Sequence, residues 1–126
     1  MGGFPPRFDK MNRREQGSQA EDVAVDYLVS IGYRILERNV HMRYGEIDIV
    51  ARDGDEMVFV EVRSSRFHEP SESIDRKKLS NMARAIRRYI LERNVESPFR
   101  VEVIIVVGGR VSRHIRDIFF DSEQGF

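Results

Sequence analysis

The stretch Gly45-Glu46-Ile47-Asp48-Ile49-Val50-Ala51-Arg52-Asp53-Gly54-Asp55-Glu56-Met57-Val58-Phe59-Val60-Glu61-Val62-Arg63 leaves this chain few choices of fold. Two β-branched runs, Ile47 to Ala51 and Met57 to Val62, flank Asp53-Gly54-Asp55, and Asp-Gly between such runs is the strongest short-range signal for an antiparallel hairpin. With Gly54 and Asp55 as the loop, the favoured register, Asp48 lies opposite Glu61 and Glu46 opposite Arg63. With Asp53 and Gly54 as the loop, Asp48 faces Phe59 and Glu61 still shares its face, because side chains alternate with a period of two. Only a three-residue loop separates the two carboxylates. One face, with Ile47, Ile49, Val58, Val60 and Val62, reads as core. The other begins apolar at Val50 and Phe59 and then turns acidic.

Two carboxylates side by side on a strand pair weaken the ladder and cannot both ionise cheaply. A hard divalent cation removes the conflict, and Mg²⁺ is commonly held by one or two carboxylates completed by water and phosphate oxygens. Asp48 and Glu61 interrupt a hydrophobic run and are therefore candidate ligands for Mg²⁺ or Mn²⁺. The plainer alternative is an edge acid at Asp48 and a pair between Glu61 and Arg63 or another surface base.

At 126 residues the chain is long enough for one domain with a proper core. Its 21 basic and 21 acidic residues balance, which argues against coating nucleic acid by bulk charge. The absence of cysteine excludes disulfides and zinc-thiolate sites and fits a reducing cytoplasm. No apolar run approaches the ~20 residues of a membrane span, and no signal-peptide core follows the first charges, so the expected location is cytoplasmic, away from the membrane.

Residues 1–16, rich in Gly, Pro and charge, read as a flexible tail, and residues 17–126 as the domain. From about Gly17 to Ser30 the positions Ala20, Val23, Ala24, Tyr27 and Leu28 keep a helical period, with Ser18 available as a cap and Gly32 as a stop. Glu21 sits on the edge of that stripe, where it either faces the hairpin's acidic end or complements the helix dipole. Tyr33 to Val40 has strand composition. Arg43 and Tyr44 follow in a loop beside the acidic end, a guanidinium for phosphate and a ring for base stacking. His41, His68 and His114 have no metal-triad spacing and read as surface residues.

Residues 64–75 form a polar connection suited to a flap. A second helix, Arg76 to about Arg93, has an apolar stripe at Leu79, Met82, Ala83, Ile86, Tyr89 and Ile90. It carries Arg76, Lys77, Lys78, Arg84, Arg87, Arg88 and Arg93 against one acid, Glu92. That is a third of all basic side chains. Solubility alone would interleave acids at i±4, so Lys77, Lys78, Arg84, Arg87 and Arg88 read as phosphate contacts rather than a merely solvated face. Phe99 to Val107 is an apolar strand bearing Glu102, Gly108-Gly109 a turn, and Val111 to Phe120 a last strand. The order α-β-β-β-α-β-β is a mixed α/β pattern with helices packed on a sheet.

Gly45-Glu46-Ile47-Asp48-Ile49-Val50-Ala51 followed by Val58-Phe59-Val60-Glu61-Val62-Arg63 resembles the signature of the YraN-like family of small bacterial proteins. The likeness extends through Ala20-Glu21, Tyr27-Leu28, Gly32 to Leu36, Arg38-Asn39, Lys77-Lys78 and Phe99 to Val103. That family is similar to the restriction-endonuclease-like PD-(D/E)XK superfamily and, within it, to archaeal Holliday junction resolvases. The resemblance implies a restriction-endonuclease-like fold, with a mixed central sheet flanked by helices. It makes Asp48 and Glu61 the metal-binding acids, gives Arg63 the superfamily's lysine position, and matches Glu21 to the helical glutamate of the resolvases. A guanidinium keeps its proton in a protein, so Arg63 is suited to orienting water or steadying charge, not to acting as a base. The implied function is Mg²⁺-dependent phosphodiester hydrolysis on DNA of branched or otherwise unusual shape, with a homodimer plausible by analogy to the resolvases. Two other classes stay open: a nuclease-fold binding or scaffolding protein without turnover, and a protein-interaction module.

Overall fold

The hairpin takes the favoured register, Ile49 opposite Val60 and Asp53 opposite Glu56, with Gly54 at φ +60° in the turn. The computed structural model describes residues 12–66 and 76–116. In chain order these form α1 (Arg13–Ser30), β1 (Arg34–Met42), β2 (Gly45–Asp53), β3 (Glu56–Ser65), α2 (Arg76–Arg93), β4 (Phe99–Val107) and β5 (Arg110–Ile115). The expected order of helices and strands is the observed one. Residues 1–11 of the expected tail, residues 67–75 of the connection with His68, and residues 117–120 of the last strand lie outside the described residues.

The five strands follow sequence order, β1-β2-β3-β4-β5. All neighbours are antiparallel except β3 and β4, which α2 joins as a parallel crossover. One layer packs Ala20, Ala24 and Leu28 of α1 on Ile49, Ala51, Val58, Val60, Ile104 and Val106. The other packs Met82, Ala85, Ile86 and Tyr89 of α2 on Val40, Ile47, Val50, Met57, Phe59 and Val101. Both faces of the hairpin are therefore core, not one. Phe59 and Ile86, each fully buried, contribute roughly 1.5–3 kcal/mol apiece relative to exposure. Ile47 and Ile49 belong to opposite layers although two residues apart, so the alternation of faces breaks at Asp48.

Two boundaries differ from expectation. Helix α1 starts at Arg13, not near Gly17, because Asn12 caps it: Asn12 Oδ1 accepts from the Glu15 N–H at 2.9 Å, and Asn12 Nδ2 donates to Glu15 Oε1 at 3.0 Å. Residues 13–16 are thus helix rather than tail. Strand β1 runs on to Met42, pairing His41 with Glu46, which leaves Arg43-Tyr44 as a two-residue turn.

At the hairpin-tip end of the sheet, fully buried Glu102 accepts from Tyr33 Oη at 2.9 Å and Arg100 Nε at 2.5 Å, and lies 2.6 Å from His114 Nε2. His114 is not a surface residue as expected. Its side chain is 7% exposed, because β5 pairs it with Ile104 and both ring nitrogens find partners, Glu102 and Tyr27 Oη at 3.1 Å. Arg100 also binds Asp53 at 2.5 Å and Glu56 at 3.1 Å, which ties the tip of the hairpin to β4. Among the described residues no helix is long and apolar enough to cross a membrane.

Candidate metal centre

The candidate site forms where β2 and β3 stop pairing. Their ladder ends at Ile49 and Val60; beyond it β2 stays with β1 and β3 with β4, so Arg63 pairs with Ile105 and Glu46 with His41. Arg63 and Glu46, expected opposite each other, are therefore apart. The Asp48 side chain bridges the gap: its Oδ2 accepts the Val62 N–H at 2.8 Å. A carboxylate satisfied by a backbone donor is fixed in orientation and keeps lone pairs for another ligand.

The opening is a cleft of about 420 Å³ whose lining includes Glu21 from α1, Glu46, Asp48 and Glu61 from the strands, and Lys78, Asn81 and Met82 from α2. Gly45 makes this approach of α2 possible. A Cβ built there would lie 2.7 Å from the Asn81 carbonyl oxygen, closer than side chains tolerate.

Carboxylate oxygens of Glu21, Glu46 and Asp48 all lie within 4.8 Å of one another. Glu61 lines the same cleft, with Lys78 Nζ 3.2 Å from its Oε1. Burial first, then the Asp48 charge, push Glu61 up to about 8, against the pull of Lys78. Glu21 is also raised, by burial and then by Asp48, with Arg38 and Asn39 opposing. Arg38 reaches Glu21 at 3.6 Å and Asp22 at 2.6 Å. Four carboxylates against two basic groups, Lys78 and Arg38, with Glu61 and Glu21 driven toward the protonated form, make an all-oxygen donor set whose charge a hard divalent cation would neutralise. The residues present fit Mg²⁺ or Mn²⁺.

Of the residues singled out from the sequence, Asp48, Glu61, Glu21 and Lys78 meet in this cleft, and Arg63 is not part of its lining. Glu46 enters the sequence reading only through register, yet it stands at i−2 from Asp48 on the same strand, a spacing that does share a face. The pairing of Lys78 with Glu61 has no local sequence signal. Arg43 and Tyr44 are exposed on the β1–β2 turn next to Gly45, the Arg43 guanidinium 5.3 Å from the Tyr44 ring centre. Lys77, Arg84, Arg87 and Arg88 are exposed along α2, Arg88 in an ion pair with Glu92 at 2.7 Å. At 1.5 Å per helical residue, Arg88 lies roughly 15 Å along the axis from Lys78.

A family model described as "Uncharacterised protein family UPF0102" matches residues 20–106, a span holding all four acids and Lys78. A UPF0102 protein of Thermotoga neapolitana is 51% identical over 88 residues, 69% of this chain and 82% of its own length. One from Persephonella marina is 42% identical over 108 residues, 82% of this chain and 92% of its own. A third, from Carboxydothermus hydrogenoformans, is 49% identical over 85 residues, 65% of this chain and 72% of its own.

Proposed function

Because the chain belongs to the uncharacterised protein family UPF0102, the YraN family to which its motifs point, and that family name carries no activity, we propose from the site itself a metal-dependent endonuclease acting on DNA. The observation that carries this reading is the convergence of the Glu21, Glu46 and Asp48 oxygens, beside Lys78, in a cleft at the start of a basic helix.

Glu21, Glu46 and Asp48 would hold Mg²⁺ or Mn²⁺, which when bound supplies positive charge to a scissile phosphate and makes a neighbouring water more acidic. The chain's own groups do the rest. The Val62 N–H keeps Asp48 aimed into the cleft. Until a cation neutralises the Asp48 charge, burial and that charge hold a proton on Glu61 up to about 8, which places on the cleft wall a group able to exchange a proton with solvent or substrate. Lys78 steadies ionised Glu61 and offers a cation to developing phosphate charge, the part expected of Arg63. Arg43 and Tyr44 on the neighbouring turn suit a phosphate and an unstacked base, while Lys77, Arg84, Arg87 and Arg88 suit a backbone running along α2. The resemblance to junction resolvases supports branched DNA as substrate, in the cytoplasm, and a homodimer matched to two symmetry-related strands.

The test is a cleavage screen over duplex, single-stranded, flap and four-way DNA, with Mg²⁺ or with EDTA. Cutting of at least one branched form is expected, abolished by EDTA and reduced roughly 10²–10³-fold by Asp48→Asn, the cost of one preorganised charge-stabilising group. Cutting by Asp48→Asn at the wild-type rate would rule the mechanism out.

A further inference from the structure

The parting of β2 from β3 takes away the strand that would have paired with the last residues of β3. Along an extended strand the backbone groups of successive residues point to opposite sides, so residues two apart point the same way. Met57 N–H donates to the Pro98 carbonyl and the Ser65 carbonyl accepts from Gly108 N–H, which fixes the odd-numbered residues of β3 as facing β4. The even-numbered ones face β2. A ladder continued past Ile49 and Val60 would set Val62 opposite Ile47 and Ser64 opposite Gly45, but it ends before them. Asp48 Oδ2 accepts the Val62 N–H in place of the lost partner, at 2.8 Å. The Ser64 N–H points the same way, and Gly45 has no side chain with which to accept it.

Ser64 is exposed and lines the cleft together with Lys78, across from the acids of α1 and β2. A backbone N–H that has lost its ladder partner is satisfied by water or by a ligand oxygen, and the serine hydroxyl adds a second donor on the same residue. Lys78 spends one contact on Glu61 and has further ammonium protons to give. The acids repel an anion, so these donors are what an anion entering the cleft can use. We propose that the Ser64 N–H and hydroxyl, with the Lys78 ammonium, seat a non-bridging oxygen of a phosphodiester on the β3 side of the cleft. A phosphodiester suits the arrangement because its second non-bridging oxygen is left to meet a cation held by Glu21, Glu46 and Asp48. This rests on the cation site proposed above, and assigns to Ser64 a part that the motif around Glu61 does not give it.

The experiment follows backbone amides by NMR while the whole protein is titrated first with Mg²⁺ and then with dimethyl phosphate, a phosphodiester without bases. Mg²⁺ alone is expected to move the amides of Glu46 and Asp48. Dimethyl phosphate is then expected to move the Ser64 amide saturably, and further than that of Ser65, which faces β4. Ser64→Ala keeps the N–H and should weaken dimethyl phosphate binding about 3-fold, the scale of one ordinary hydrogen bond. Ser64→Pro removes both donors without costing a ladder bond and should weaken it about 10-fold or more. If Ser64→Pro does not fold, Ser64→Ala and the wild-type amide shift decide alone. A Ser64 amide that stays still under dimethyl phosphate, or wild-type affinity in the Ser64 variants, overturns the proposal and leaves the cation site standing. Silence of the Glu46 and Asp48 amides to Mg²⁺ overturns both.

Discussion

Burial and the adjoining Asp48 carboxylate leave Glu61 protonated at neutral pH, with its titration raised to about 8. The unfolded chain releases that proton near the ordinary 4.5, so the native state binds it more tightly throughout the interval between the two values. Stability from this group is therefore complete below about pH 4.5 and is lost as pH rises toward 8. In EDTA the wild-type protein is expected to lose on the order of 3 kcal/mol between pH 5 and pH 8 from Glu61. Glu61→Gln cannot ionise, so its unfolding free energy should be flatter over the same range; urea titrations at the two pH values read the difference. An equally steep decline in the variant would show that Glu61 is not the group responsible. Lys78 and Asp48 pull Glu61 in opposite directions, and the hairpin alone does not reveal the balance, because Lys78 arrives from a helix seventeen positions along the chain.

At the level of elements, the cleft exists because two helices converge on a sheet that parts. Gly45 sets how closely α2 approaches, and Gly45→Ala forces its Cβ onto the Asn81 carbonyl at 2.7 Å. Overpacking of this kind costs roughly 1–3 kcal/mol, and here it also moves Lys78 and Asn81 from the cleft wall. Gly17 is the counter-case on the opposite wall, within α1 and with nothing within 4 Å of a built Cβ. Gly17→Ala should stabilise by roughly 0.5–1 kcal/mol. Denaturant midpoints of the two alanine variants should thus move in opposite directions; a shift in the same direction contradicts this packing.

The same elements explain what can be read in advance. Hairpin register follows from Gly54 at the first loop position, where φ is +60°, and the order of helices and strands along the chain from hydrophobic period, both local. The start of α1 departs from expectation because Gly and Pro upstream suggest a tail, although Asn12-x-x-Glu15 is itself a capping signal. Glu46 is legible from its spacing to Asp48, but the cross-strand partner expected for it is removed by the parting of β2 and β3. Glu102 with His114 depends on register in β5, and Glu21 with Arg38 on helix docking, which no local pattern encodes.

Over the whole molecule, zero net charge conceals a division. The outward side of α1 presents Glu15, Asp22 and Asp26, while α2 presents Lys77, Arg84, Arg87 and Arg88, and the cleft lies between them. A phosphate backbone is attracted along α2 and repelled by α1. Binding of branched DNA should weaken steeply with salt, and Arg84→Ala should lower the slope of log K against log salt by about 1. Asp26→Asn should leave that slope unchanged. Equal slopes for wild type and Arg84→Ala would show that the backbone does not follow α2.

Whether oxygens from Glu21, Glu46 and Asp48 form one cation site is tested most directly by anomalous diffraction from crystals soaked in Mn²⁺. The predicted result is a peak bounded by those three carboxylates and lost in Asp48→Asn; a Mn²⁺ peak elsewhere with none in the cleft would contradict it.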